Sequence, residues 1–287
     1  MTGYTARTYT APDGVKTWHR HYDAGSDHLP VLCMHGLTRN SRDFEAVIPA
    51  ITAAGRSVIA VDVRGRGNSD HDPVAENYNP GVYVQDMFGV LAQAGWDRVI
   101  TLGTSMGGLM SMIMAASRPG LIAGAIINDI GPELDPRGLT RIQGYVGGAS
   151  GPFADWSAAA DAVRAINGEA FPKETGQAFW EAFARRTCRE LETGEVVFDY
   201  DPAISKLARS SAVAPPNLWP QFEALAASPL LLVRGAITDL LAASCVDDMR
   251  ARAPHMAYAE VPDVGHAPLL TEPEAARAID SFLAGLA

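Results

Sequence analysis

Five short apolar runs constrain the fold of this 287-residue chain more than any other feature: Pro30–Met34, Ser57–Val61, Val99–Leu102, Ile122–Ile127 and Leu230–Val233. Each is continuously apolar rather than alternating, as parallel strands covered on both faces are. Helix-like stretches separate most of them: Phe44–Ala54, Val82–Ala94, Met106–Ser117, Ala242–Ala253 and Pro273–Ala284. Strand and helix in alternation predict an α/β fold with a doubly wound, mostly parallel sheet. Two extended segments, around Thr5–Tyr9 and Val15–Tyr22, precede the alternation. Asp13-Gly14 between them signals a hairpin, which would add antiparallel strands at one edge.

The alternation stops between Ile127 and Leu230. About a hundred residues there carry Trp156, Phe171, Phe179, Trp180, Phe183 and Trp219 but no convincing buried strand, and Pro215-Pro216 and Trp219-Pro220 break the stretch near its end. A structureless loop of that length does not suit a compact domain. The expectation is an inserted helical cap over residues 132–225, with residues 1–131 and 226–287 forming the core; a separate second domain is disfavoured because Leu230–Val233 resumes the sheet pattern.

One strand-to-helix junction carries chemistry. Gly103-Thr104-Ser105-Met106-Gly107 is a G-x-S-x-G between an apolar run and a helix-like run, the pattern of a nucleophile elbow. Glycines two residues either side leave room for the sharp turn that projects the serine. A serine hydroxyl needs a base, and the base needs a carboxylate to hold its tautomer. In this strand–helix arrangement the chain order is serine, acid, histidine. Downstream of Ser105 stand only His255 and His266. His266 lies on a loop after the strand-like Met256–Val261, at the sheet's carboxyl end, and is the expected base. Asp239, just past Leu230–Val233, is the expected acid. Asp129, after Ile122–Ile127, is its main rival, and Asp263 reads as a turn former. Two amides would hold the oxyanion: Met106 N–H, after the nucleophile, and Leu37 N–H, on the His35-Gly36-Leu37-Thr38 loop that follows the first buried strand. His35 is read as a buttress of that loop.

These motifs, with Asp62-Val63-Arg64-Gly65-Arg66-Gly67-Asn68-Ser69, make the chain resemble the α/β-hydrolase fold superfamily over nearly its whole length, in the serine esterase and lactonase-like branch with a helical cap. The resemblance implies that Asp62–Ser69 is a structural loop braced by salt bridges rather than a phosphate site. Haloalkane dehalogenases and epoxide hydrolases of this superfamily carry aspartate at the elbow, so Ser105 points away from both. Thr238-Asp239 is similar to the esterase and lactonase pattern R-G-x-x-S-D and lacks the Gly-Arg-x-Asp form of carbon–carbon bond hydrolases.

The expected activity is carboxylic ester hydrolysis through an acyl-enzyme, on a small-molecule ester or lactone. A lactone, enol-lactone or carbon–carbon bond hydrolase with the same triad is the first alternative, and a non-catalytic receptor on the same fold is the other. Trp156, Trp180 and Trp219 are the candidate substrate-binding residues. No cofactor or metal is expected: His19-x-His21 lacks a third ligand, and Cys33, Cys188 and Cys245 form no C-x-x-C. A net charge of −10 without a basic stripe disfavours nucleic acid. No run approaches the roughly 18 apolar residues of a membrane span, and Met1–Arg7 lacks the apolar core of a secretory signal, so no membrane association and a cytoplasmic location are expected. The oligomeric state stays open.

Overall fold

The structure, a computed structural model, describes residues 3–146, 151–205 and 217–286. Its strands, in chain order, are β1 (Thr5–Thr10), β2 (Lys16–Tyr22), β3 (Val31–Met34), β4 (Val58–Val61), β5 (Val99–Thr104), β6 (Ile122–Asn128), β7 (Cys188–Glu190), β8 (Val196–Phe198), β9 (Leu230–Gly235) and β10 (Ala257–Val261). All but β7 and β8 join one eight-stranded sheet, in the order β1-β2-β4-β3-β5-β6-β9-β10. From β4 across to β10 every pairing is parallel, whereas β2 pairs antiparallel with both β1 and β4. The expected mostly parallel α/β sheet with an edge hairpin is therefore present.

The continuous apolar character of the strands has a direct cause. Leu32, Met34, Ile59, Val61, Leu230 and Leu232 face one core, which also takes residues of helices Pro80–Ala94, Met106–Ser117 and Ala243–Arg252. Their neighbours Val31, Cys33, Val58, Ala60, Leu231 and Val233 face a second core, closed by helices Ile48–Ala53 and Pro273–Ala284. Side chains alternate in direction along a strand, so two apolar cores demand an unbroken apolar run. The helix expected over Phe44–Ala54 is divided into a 3₁₀ turn, Ser41–Phe44, and a helix beginning at Ile48. Pro49 falls in the first turn of that helix, where its missing N–H costs nothing.

Between β6 and β9 the chain forms helices Pro136–Tyr145, Trp156–Asn167 and Gln177–Thr187, and β7 and β8 pair there as a two-stranded hairpin. Ala159, Ala160, Val163, Phe171, Trp180, Phe183 and Val196 give this region a small core of its own. The helix Trp219–Leu225 belongs elsewhere. It packs on helix Met106–Ser117, and Trp219, Phe222 and Leu225 join the first sheet core. Pro220 sits in its first turn and starts a helix instead of breaking one. Pro215-Pro216 lie outside the described residues. No helix among the described residues is long and apolar enough to cross a membrane.

Candidate active site

Ser105 stands between β5 and helix Met106–Ser117 with φ 52° and ψ −114°, a conformation that L-residues rarely adopt. Glycine is required around it. A Cβ on Gly103 would lie 2.4 Å from the Gly107 carbonyl, and one on Gly107 would lie 1.9 Å from Met34 O. Backbone contact between the elbow, its own helix and β3 is possible only without those carbons. The turn is pinned by Ser105 N–H donating to Asn128 O at 2.9 Å.

His266 reaches this serine from the loop after β10: its Nε2 is 2.9 Å from Ser105 Oγ. Its Nδ1 lies 2.7 Å from Oδ2 of Asp129. Asp129 follows β6, has φ 56° and is fully buried. Two further donors hold its carboxylate. Gly235 N–H donates to Oδ1 at 2.8 Å, and Thr238 Oγ1 donates to Oδ2 at 2.6 Å. Asn128 ties the loops together, with Nδ2 donating to Thr104 Oγ1 and to Pro268 O. Ser105, His266 and Asp129 therefore form one hydrogen-bonded chain.

Asp239, the acid expected from the sequence, is not in that chain. Arg141 grips it through two hydrogen bonds, Nε to Oδ2 at 2.5 Å and Nη2 to Oδ1 at 2.8 Å. This guanidinium holds the Asp239 carboxyl below the ordinary aspartate range. The Asp239 carbonyl also accepts from Gly138 N–H. Asp239 thus fastens helix Pro136–Tyr145 to the loop after β9. The sequence holds a hint of this exchange in Thr238, whose hydroxyl serves the carboxylate of the neighbouring strand. Asp263 pairs on the surface with Lys173.

The two residues expected to supply oxyanion amides, Leu37 and Met106, are both close to Ser105. Leu37 lines the same cavity as Ser105 and His266. A Cβ built on the preceding Gly36 would be 3.8 Å from Ser105 Cβ, an ordinary van der Waals contact, so this loop runs directly against the nucleophile. Met106 opens its helix, where N–H groups have no intrahelical acceptor. Fully buried Arg66 links the pair: Nε donates to Leu37 O at 2.9 Å and Nη2 lies 3.8 Å from Met106 Sδ. His35 buttresses the loop. Its Nε2 accepts from Val63 N–H at 3.0 Å, so Nδ1 carries the proton and donates to Gly36 O. Burial lowers its pKa to about 4, which keeps the ring neutral. In the same segment Arg64 is clamped by Asp13, Asp72 and Asp86.

The cavity at Ser105 has a volume of about 110 Å³. Ile142, Tyr145, Val163, Ile166, Phe171 and Phe183 from the inserted region form much of its wall, with Phe198 and Tyr200 beyond. The three tryptophans expected there are placed elsewhere. Trp180 is fully buried in the insertion's core, with Nε1 donating to Glu174 O. Trp156 donates to Glu190 and stacks under Arg185. Trp219 donates to Glu133 and lies against Arg252, on the elbow helix. Large aromatics bury wherever their area is best covered, and an N–H partner at the rim suffices. Arg39, which lines the cavity, escaped the sequence reading because a lone arginine after the His-Gly loop carries no pattern. Among the described residues no group of three or more His, Cys, Asp or Glu is arranged to hold a metal. His19 of the His19-x-His21 pair is buried within the sheet.

The strand order, the elbow and the loops converging on it are those of one structural class, hydrolases built on a doubly wound sheet. Residues 30–273 match the α/β-hydrolase fold family, and the chain belongs to it. It is 34% identical to a 3-hydroxybutyrate-oligomer hydrolase of Cupriavidus necator, over 89% of this chain and 88% of that one. It is 26% identical to a 2-(acetamidomethylene)succinate hydrolase of Mesorhizobium japonicum, over 91% of this chain and 90% of the other. Among solved structures, an α/β hydrolase of Novosphingobium aromaticivorans superposes with a TM-score of 0.92 at 39% identity, covering 99% of both chains.

Proposed function

We propose that this hydrolase cleaves carboxylic esters of small molecules through an acyl-enzyme on Ser105. The observation that carries the reading is the chain from Ser105 Oγ through both nitrogens of His266 to Asp129, at 2.9 and 2.7 Å. His266 takes the Ser105 proton as Oγ attacks the ester carbonyl, and the Leu37 and Met106 amides bind the resulting oxyanion. As the tetrahedral centre collapses, His266 gives the proton to the leaving alcohol. Water then attacks the acyl-enzyme by the same route, releasing the acid and restoring Ser105. Asp129, held by three donors, fixes the tautomer with the proton on Nδ1 and stabilises the imidazolium. The inserted helices act as a cap, shielding the acyl-enzyme and supplying an apolar wall. The oligomer hydrolase of Cupriavidus necator, similar over most of its length, supports an ester substrate.

An organophosphonate tests the nucleophile: the wild type is expected to take up one label, at Ser105. In Ser105→Ala, hydrolysis of a p-nitrophenyl ester series should fall by about 10⁵-fold or more with the fold unchanged. A label on another serine, or near-wild-type turnover in the variant, would overturn the assignment. The same ester series run beside simple lactones separates esterase from lactonase, and stoichiometric binding without turnover would point to a receptor.

A further inference from the structure

The loop that carries His266 is squeezed between the inserted region and the sheet. On one face, the inserted region's 3₁₀ turn Gly168–Ala170 meets Gly265, the residue before the base. Gly265 N–H donates to Ala170 O at 2.7 Å. A Cβ on Gly265 would lie 2.9 Å from Ala170 Cα and 3.1 Å from its Cβ. On the other face stands Gly235, at the end of β9. A Cβ there would lie 2.4 Å from Val264 O and 2.5 Å from Gly265 O. Three stretches of backbone are thus stacked with no side chain between them, and packing this close transmits a displacement instead of absorbing it.

The stack ends on Asp129, whose Oδ1 accepts from Gly235 N–H at 2.8 Å. The loop is joined to the inserted region in two more ways. Val264 and Leu269 pack against that region's own core, and Val264 also against the second sheet core. Lys173 pairs with Asp263, three residues before the base. From the sheet side, Ile237 N–H donates to Val264 O at 3.1 Å and Asn128 Nδ2 to Pro268 O at 2.8 Å. His266 therefore sits on a loop held from two sides, and the inserted region supplies one of them.

We infer that the Gly168–Ala170 turn of the cap is a positioning element for the base: through Gly265 it keeps His266 in line with Ser105 Oγ and Asp129, so the triad is aligned only while the cap is seated. The inference goes beyond the acyl-enzyme reading, in which the cap gives a wall and a shield, and rests on it for His266 as the base. A wall residue holds substrate and transition state alike and moves KM. A group that aligns the base acts on the chemical step and moves kcat, and misplacement by about 1 Å can cost about 10²-fold.

Gly265→Ala tests it. Gly265 does not have a positive φ, so alanine suits its backbone and the added methyl acts through Ala170. With a p-nitrophenyl ester, kcat should fall about 30- to 100-fold while KM stays within about threefold. Gly265→Ala/Ala170→Gly, which thins the cap side of the contact, should recover about fivefold or more of that loss. Lys173→Glu leaves the stack intact and sets two carboxylates face to face on the surface. It should lower kcat about two- to threefold, less in raised salt, and Lys173→Glu/Asp263→Lys should restore it; this variant decides if Gly265→Ala does not fold. A loss confined to KM, or a kcat that neither Gly265→Ala nor Lys173→Glu lowers, overturns the inference. Nitrogen-15 NMR of the His266 ring at pH 8.5 needs no turnover and so separates this inference from the ester reading. The wild type should hold the proton on Nδ1, and Gly265→Ala should mix the two tautomers as Asp129→Asn does. If no ester is hydrolysed and the ring still behaves so, the positioning stands and the ester reading fails. If the ring of Gly265→Ala matches the wild type, or the wild type shows no preference for Nδ1, the positioning fails whatever becomes of kcat.

Discussion

The loops after β6 and β9 each present an aspartate at the same end of the sheet, and the structure treats them in opposite ways. Asp129 is sealed from solvent and takes three hydrogen bonds, from Gly235, Thr238 and His266. The Asp239 side chain keeps 30% of its exposure and is held by Arg141 from the inserted region. One carboxylate is embedded among strands whose positions the sheet fixes, while the other binds a helix of the insertion to that sheet. Donors that need no reorganisation suit a catalytic role. A paired carboxylate near the surface suits a tie.

Replacing the two carboxylates separately gives the most direct test of that difference. Asp129→Asn should cut ester turnover by roughly 10⁴, because an amide in its place no longer fixes the proton of His266 on Nδ1. The variant should fold, since the amide oxygen still accepts from Gly235 N–H. Steady-state kinetics with a p-nitrophenyl ester reads the loss, and circular dichroism checks the fold. A loss below tenfold would mean that another group orients the imidazole.

Which parts of this were readable in advance follows from how local each signal is. The sheet was legible because burial on two faces writes itself into every strand. The meeting of Ser105 and His266 was legible because an elbow and a Gly-His loop are each contiguous in sequence. The choice between Asp129 and Asp239 was not, because it depends on Arg141, about a hundred residues away in the chain, and on Thr238 turning toward the adjacent strand. The tryptophans misled for a related reason. An apolar helix face reads alike whether it packs on its own small core, as Trp180 does, or on the elbow helix, as Trp219 does. The cavity wall instead came from residues such as Ile142, Tyr145 and Val163, which nothing in the sequence sets apart.

Acid should weaken the sheet through its buried histidines. His19 on β2 and His35 after β3 are almost fully buried, and burial lowers each pKa from 6.5 to about 4. The unfolded chain therefore takes up their protons first as pH falls below 6.5. Stability is highest above that value, declines between pH 6.5 and 4, and loses the histidine contribution fully below about 4. Each ring contributes on the order of 3 kcal/mol across that window. Urea denaturation at pH 7.5, 5.5 and 4.5 measures the decline, and His19→Val should make it shallower. An unaltered slope in the variant would show that His19 is protonated as readily in the folded chain as in the unfolded one.

The smallest effect is expected where the sequence pointed first. Asp239→Asn keeps the backbone carbonyl that accepts from Gly138 N–H and removes only the charge that Arg141 grips. The pair is partly exposed, and such pairs contribute about 1 kcal/mol or less. Helix Pro136–Tyr145 should loosen slightly, and with it Ile142 and Tyr145 in the cavity wall. The cost should appear as a two- to fivefold rise in KM, with kcat nearly constant, because these wall residues hold substrate and transition state alike. Raised salt should shrink the difference between variant and wild type by screening the pair in the latter. A fall in kcat approaching that of Asp129→Asn would break the comparison and return the orienting role to the loop after β9.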